Sequence, residues 1–252
     1  MSQTDASASS KATASADTAA PDYWTAACDH LMKKDRVMRR LVPKFIGASI
    51  ETRGEPFVTL ARSVVGQQIS VKAAQSVWDR FSALMKTVNP RAVSKLTVED
   101  MRAAGLSGRK VEYIKDLADY FQTGKVSVKQ WDAMEDEAII AELIAIRGIG
   151  RWTAEMFLMF YLRRPDVLPL DDVGLLNGIS KLYFSDEPVS RSEVRDLARA
   201  WEPYRSVATW YIWRSLDPDP VAYCSLLASN TVPLRIPTHT LTAGFAWQKN
   251  IF

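Results

Sequence analysis

The chain has 252 residues, 47% of them hydrophobic and 24% charged, with a formal net charge of +3 and a pI near 8.8. That length and apolar content support one large domain or two small lobes around a substantial core. So mild a charge excludes a strongly basic protein that coats DNA, while leaving room for a local basic face.

Residues 1–21 are rich in Ser, Ala and Thr and lack an apolar signal-peptide core, so they read as a disordered tail. A helical domain is expected over residues 22–220. It starts at Pro21 and Asp22, with Trp24, Ala27, Leu31 and Met38 near one helical face. In "PFVTLARSVVGQQISVKAAQSVWDRFSALM" the apolar residues keep helical period on both sides of a "GQQIS" break, and Ser70 is the expected N-cap of the second half. "TVEDMRAAG" and "SGRKVEYIKDLADYFQTG" read as capped helices closed by Gly105 and Gly124. "MEDEAIIAELIAI" leads into "RGIGRWTAEMFLMFYL", and the Pro-bearing segment "RRPDVLPLDD" follows. Then come "DVGLLNGISKLY", "SRSEVRDLARAWEPY" and "RSVATWYIWRSL". No run alternates as a strand would. The fold class is all-α, with about ten helices and no internal repeat. Residues 221–252 lose clear period and read as a loosely ordered tail.

Two cysteines, Cys28 and Cys224, are too few for an iron–sulfur cluster, a Cys-rich zinc site or a disulfide framework. Two histidines, His30 and His239, argue against a histidine-based metal site, so no cofactor is expected. No apolar run reaches the roughly 18 residues that a membrane crossing needs. A reduced, cytoplasmic compartment fits this usage.

The stretch from Leu143 to Leu162 is apolar at helical spacing, yet Gly148 and Gly150 interrupt it, each at about 1 kcal/mol relative to alanine in a helix. Two helices joined through Gly148, Ile149 and Gly150 make a tight hairpin. The N–H groups at the start of its second helix form an anion site, flanked by Arg147 and Arg151, for which a DNA phosphate is a natural ligand. A plain helix C-cap explains the same glycines, and spacing alone leaves both readings open. A dinucleotide-binding glycine motif does not fit, because Thr153 stands at the third glycine position and a helix precedes.

"LIAIRGIGRWTAEMFL" resembles the helix–hairpin–helix element, about residues 138–162, of the HhH-GPD DNA glycosylases. "LPLDDVGLL" follows at the spacing that family uses for its catalytic aspartate. "WEPYRSVATWYIWRSL" and "FVTLARSVVGQQISVKAA" are similar to segments of the 3-methyladenine glycosylase II (AlkA-type) branch. The four segments occur in order over residues 22–217. The chain reads as a compact form of that branch, two-lobed and all-helical, without the N-terminal β domain of its larger members.

The resemblance implies a base excision repair enzyme that binds damaged double-stranded DNA as a monomer, with the hairpin residues Gly148, Ile149, Gly150, Arg151 and Thr153 at the DNA. It implies a monovalent cation, Na+ or K+, on the carbonyls of Ile144, Ile146 and Gly148. It makes Asp172, twenty residues after Trp152, the catalytic aspartate. A carboxylate at a helix start is favoured by the helix dipole, and positive charge builds on the sugar as the base departs, as in glycoside hydrolysis. Asp171 is the expected N-cap. Bifunctional branches carry a nucleophilic lysine where this chain has Trp152, so Schiff-base chemistry is not expected.

The target base must be flipped out of the stack. Trp152 and Trp213 match pocket positions whose rings suit a cationic alkylated purine, although Trp213 reads equally well as core. Tyr211 lies nearby in sequence but not on the same helical face. Met156 replaces a tyrosine of the larger relatives. Gln67 and Gln68 are candidates to fill the gap left by the base. Arg62, Lys72, Arg109 and Lys110 are candidate phosphate contacts or surface charges. Two rival readings are a glycosylase for deaminated bases (hypoxanthine or uracil) and a non-catalytic damage-binding module.

Overall fold

The computed structural model describes residues 20–50 and 54–216. The two expected tails fall almost wholly outside these residues, as do Cys224 and His239. The described residues form twelve α-helices and three short 3-10 turns, with no strand. The helices are α1 (Trp24–Lys34), α2 (Arg36–Leu41), α3 (Pro56–Gly66), α4 (Val71–Ser82), α5 (Pro90–Ser94) and α6 (Val98–Ala103). They continue with α7 (Gly108–Thr123), α8 (Asp136–Ile144), α9 (Arg151–Phe160), α10 (Val173–Tyr183), α11 (Arg191–Ala198) and α12 (Arg205–Ser215).

The caps explain most boundaries. Ser70, Thr97 and Ser107 each accept a backbone N–H at the start of α4, α6 and α7. Gly124 closes α7 in the left-handed region at φ 71. Ser190 and Glu193 form a reciprocal capping box on α11. The excess over ten helices comes from two short features. The first expected helix breaks at Asp35, whose extended backbone and side chain cap α2 through the N–H groups of Val37 and Met38. The five-residue α5, capped by Asn89 with Pro90 in its first turn, is too short for periodicity to reveal.

Two hydrophobic cores organise the chain. One lies among α3 to α9 and includes Phe57, Leu60, Phe81, Ile114, Trp131 and Phe157. The other joins α1 and α2 to α10, α11 and α12 through Trp24, Leu31, Met38, Ile179, Trp201 and Trp210. The chain therefore leaves the second core after α2 and returns to it at α10. Phe160, at the end of α9, packs against both, and Trp213 of α12 belongs to the first. Asp35 fastens the second core. Its Oδ2 accepts the Tyr183 hydroxyl and the Trp201 indole N–H, both at 2.8 Å. With its two capping bonds, that buried carboxylate is satisfied at both oxygens.

Candidate active site

The hairpin shows what the two glycines do. Gly148 has φ +87, and a Cβ there would lie 2.3 Å from Cδ2 of Tyr113 on α7. Turn and packing both require it. Gly150 has an ordinary extended backbone as the N-cap of α9, and a Cβ there would meet nothing within 4 Å. Among the described residues nothing demands a glycine at 150. The first N–H groups of α9 point out of its N-terminus beside it.

Other hairpin residues are placed differently from expectation. The Ile149 and Thr153 side chains are buried, at 5% exposure each, so only their backbone could reach a ligand. Arg147 donates its backbone N–H to Asp116 at 2.9 Å, with its guanidinium near Asp116 and Glu112. Arg151 is clasped by Glu137, from α8, and by Glu155 one turn along α9. The Glu137 pair is solvent-exposed, of the kind worth about 0–1 kcal/mol, so a phosphate can compete for the arginine.

The loop between α3 and α4 separates the two glutamines. Gln67 donates its side-chain amide to the Gly148 carbonyl at 2.8 Å, tying the loop to the hairpin. Gln68 is exposed and holds φ 59, unusual for a residue other than glycine, at the tip of the loop. Lys110, a candidate phosphate contact, instead donates to the carbonyls of Val65 and Gln67 at 2.7 Å each. It satisfies the C-terminal end of α3, and its burial lowers its pKa. Arg62 lies 5.5 Å over the Trp78 ring, while Lys72 and Arg109 are exposed. The Gly148 carbonyl is thus already engaged, and that of Ile146 accepts the Ile149 N–H at 3.1 Å. Each of these two carbonyls accepts one hydrogen bond and keeps a second lone pair for a cation.

Asp172 sits between the two cores, 4% exposed. Here the capping expectation is corrected: Asp172, not Asp171, is the N-cap of α10, accepting the Leu175 N–H on Oδ1 at 2.6 Å. Asp171 is exposed and pairs with Arg191. Two tryptophans complete the site. Trp213 donates its indole N–H to Oδ1 and Trp152 donates its own to Oδ2, each at 2.9 Å. Trp213 lies stacked on Phe160, with centroids 5.9 Å apart and planes 15° apart. Met156 is fully buried in the first core. Tyr211 packs in the second core, against Cys28 and Trp24.

Sequence reasoning missed Phe160 and Glu155. Glu155 is 5% exposed, and burial pushes its carboxyl up to about 7 despite its bond to Arg151. Because the folded form holds that proton more tightly than the unfolded chain, this group makes stability fall as pH rises from about 4.5 to about 7. Above that window the carboxylate stays charged and buried, and its full cost remains. Glu155→Gln is therefore expected to gain thermal stability relative to the parent at pH 8 compared with pH 5. Melting both proteins at the two pH values checks this; parallel shifts at both would contradict it.

Residues 61–203 match the model of the HhH-GPD superfamily base excision DNA repair proteins. DNA-3-methyladenine glycosylase 1 of Schizosaccharomyces pombe is 34% identical over 219 residues, covering 83% of this chain and 91% of that one. Among solved structures, an S. pombe 3-methyladenine DNA glycosylase in complex with abasic DNA is 32% identical at a TM-score of 0.66, covering 75% of this chain and 96% of that one. A DNA-3-methyladenine glycosidase from Bacillus halodurans is 32% identical at a TM-score of 0.70, covering 79% of this chain and 91% of that one. The chain belongs to the HhH-GPD superfamily of base excision DNA repair proteins. Within it the chain is a DNA glycosylase, a hydrolase of N-glycosyl bonds whose partner is DNA.

Proposed function

We propose that the enzyme excises alkylated purines, 3-methyladenine and 7-methylguanine, from double-stranded DNA, by flipping the base out and hydrolysing its bond to the sugar without cutting the strand. The observation that carries the reading is the carboxylate of Asp172, held between two tryptophans at the junction of the cores. The glycosylase names of the relatives support the choice of base.

The chemistry follows from charge. In an alkylated purine the base already carries positive charge, so the C1′–N bond breaks with its electron pair returning to a ring that departs neutral. Positive charge then develops on C1′ and the ring oxygen of the sugar. The Asp172 carboxylate opposes that charge and accepts a hydrogen bond from the water that adds to C1′, whose surplus proton passes to solvent. No amine stands at Trp152 to capture C1′, so the product is an intact abasic strand. The hairpin's backbone N–H groups and the bare Gly150 receive a phosphate. Gln68, exposed at its loop tip, is the residue suited to fill the gap in the stack, and Gln67 anchors that loop to the hairpin. No step is routed through a cation.

The test is incubation of the enzyme with a methylated duplex. Free methylpurine should appear while the strand stays unbroken until alkali is added, and borohydride should trap no covalent complex. A trapped adduct or a nicked strand would show that an amine of this chain has taken the lysine's role. Absence of released base would favour a binding module.

A further inference from the structure

We propose that Trp152 and Trp213 act on the reaction as positioning residues, through the N–H bonds they donate to Asp172, rather than as a stacking floor for the cationic base. The proposal rests on the glycosylase reading above and assigns these two side chains a different task within it.

Three elements meet at this carboxylate. Trp152 is the second residue of α9, Trp213 lies on α12, and the Leu175 N–H belongs to α10. Oδ1 takes Leu175 and Trp213, and Oδ2 takes Trp152. Donors on both oxygens fix the plane of the carboxylate and its rotation about the last side-chain bond. That orientation has to be right when charge develops at C1′, because a misplacement of about 1 Å can cost about 100-fold in rate.

The environment of Trp213 favours this role over stacking. Its ring is only 5% exposed, and Phe160 is stacked against it. Its N–H edge is what reaches the reacting group. Trp152 is only partly buried, and its N–H reaches Oδ2. The same fold holds another buried aspartate in the same manner: Asp35 caps α2 while accepting the Trp201 indole N–H and the Tyr183 hydroxyl. There the arrangement lies in the second core, far from the hairpin in sequence. At Asp172 it is built across the junction of the two cores, beside the hairpin helix.

The test uses Trp152→Phe and Trp213→Phe in the full-length enzyme, because phenylalanine keeps an aromatic face and loses the N–H. A hydrogen bond to a charged acceptor is worth about a tenfold change in rate if it is made only in the productive geometry. Each variant is therefore expected to lose about tenfold in single-turnover excision at saturating enzyme, with affinity for a damaged duplex unchanged. The loss should be the same for cationic 7-methylguanine and neutral hypoxanthine, since the charge that Asp172 meets lies on the sugar. In an Asp172→Asn background the phenylalanine substitutions should cost nothing further, which is the signature of action through that carboxylate. The indole N–H resonances of Trp152 and Trp213 should also move on Asp172→Asn, a readout that needs no activity. Losses confined to the cationic base, no loss at all, or a full tenfold loss persisting in the Asn background would each overturn the proposal. A wild type that excises alkylated bases alongside such results would leave the glycosylase reading standing. A wild type that releases neither base would remove both.

Discussion

Asp172→Asn is expected to slow single-turnover release of 3-methyladenine by about 10²–10³-fold, the range typical of removing one electrostatic contact to a developing charge. Affinity for damaged DNA should persist or rise, because a carboxylate near a polyanion opposes association. Folding will be touched as well. Asparagine can still accept the Leu175 N–H, but its amide N–H₂ must then face an indole N–H, donor against donor. That mismatch costs about 1–3 kcal/mol, so rates must be compared on protein shown to be folded at the assay temperature. Asp35→Asn is the control, since it disrupts a like-built carboxylate in the second core. It should lower the melting temperature to a similar degree and leave excision per folded molecule near wild type. Asp171→Asn should change little, as that side chain is exposed and paired with Arg191. If Asp172→Asn and Asp35→Asn lose activity only in proportion to stability, Asp172 is a cap and not a catalytic group.

The second large effect is expected at the hairpin, and the two glycines should separate. Gly148→Ala places a Cβ against the Tyr113 ring at 2.3 Å on a backbone with φ +87. Left-handed strain and overpacking each cost about 1–3 kcal/mol. For a domain of this size the melting temperature should fall by about 5–15 °C. DNA affinity should fall too, because the turn sets the direction of the α9 N–H groups. Gly150→Ala meets no atom of the described residues within 4 Å and has no positive φ, so the fold should be indifferent to it. Its methyl group would stand where a phosphate approaches, and affinity for undamaged duplex should drop at least tenfold with an unchanged melting temperature. Thermal melts and fluorescence anisotropy on the two variants check both halves. Gly150→Ala binding DNA as the wild type does would deny the hairpin its phosphate role.

Much of this architecture was legible in the sequence because helix ends leave local marks. Ser70 and Gly124 each cap the helix they are expected to cap, and Thr97 and Ser107 start the helices read as capped, because a cap depends on only a few residues adjoining it in sequence. The break at Asp35 escaped notice because the apolar stripe of α1 runs on into α2 almost in phase. Propensity alone lets either Asp171 or Asp172 cap α10, and the expected cap at Asp171 falls one residue short of the observed one at Asp172. The choice was made by Trp152 and Trp213, which arrive from α9 and α12 and hold the second carboxylate. For Trp213 the sequence leaves core and pocket both open, and the residue is buried with its N–H donated to Asp172. Lys110 reads as a surface charge until α7 is seen to lie under the end of α3, where its ammonium meets two carbonyls. Gln67 and Gln68 are alike in sequence, and only the fold shows one anchored to the hairpin and the other exposed. Glu155 carried no signal, since a glutamate one turn from an arginine is ordinarily a solvated pair.

Base choice is the claim on which the proposed function turns, and one competition measures it directly. The wild-type enzyme is given a mixture of duplexes carrying 3-methyladenine, 7-methylguanine, hypoxanthine or uracil, and the released bases are followed by mass spectrometry. The two methylated purines should appear first, with one abasic site formed per base released and no strand cleavage. Release of hypoxanthine or uracil with the methylated purines left in place would contradict the assignment.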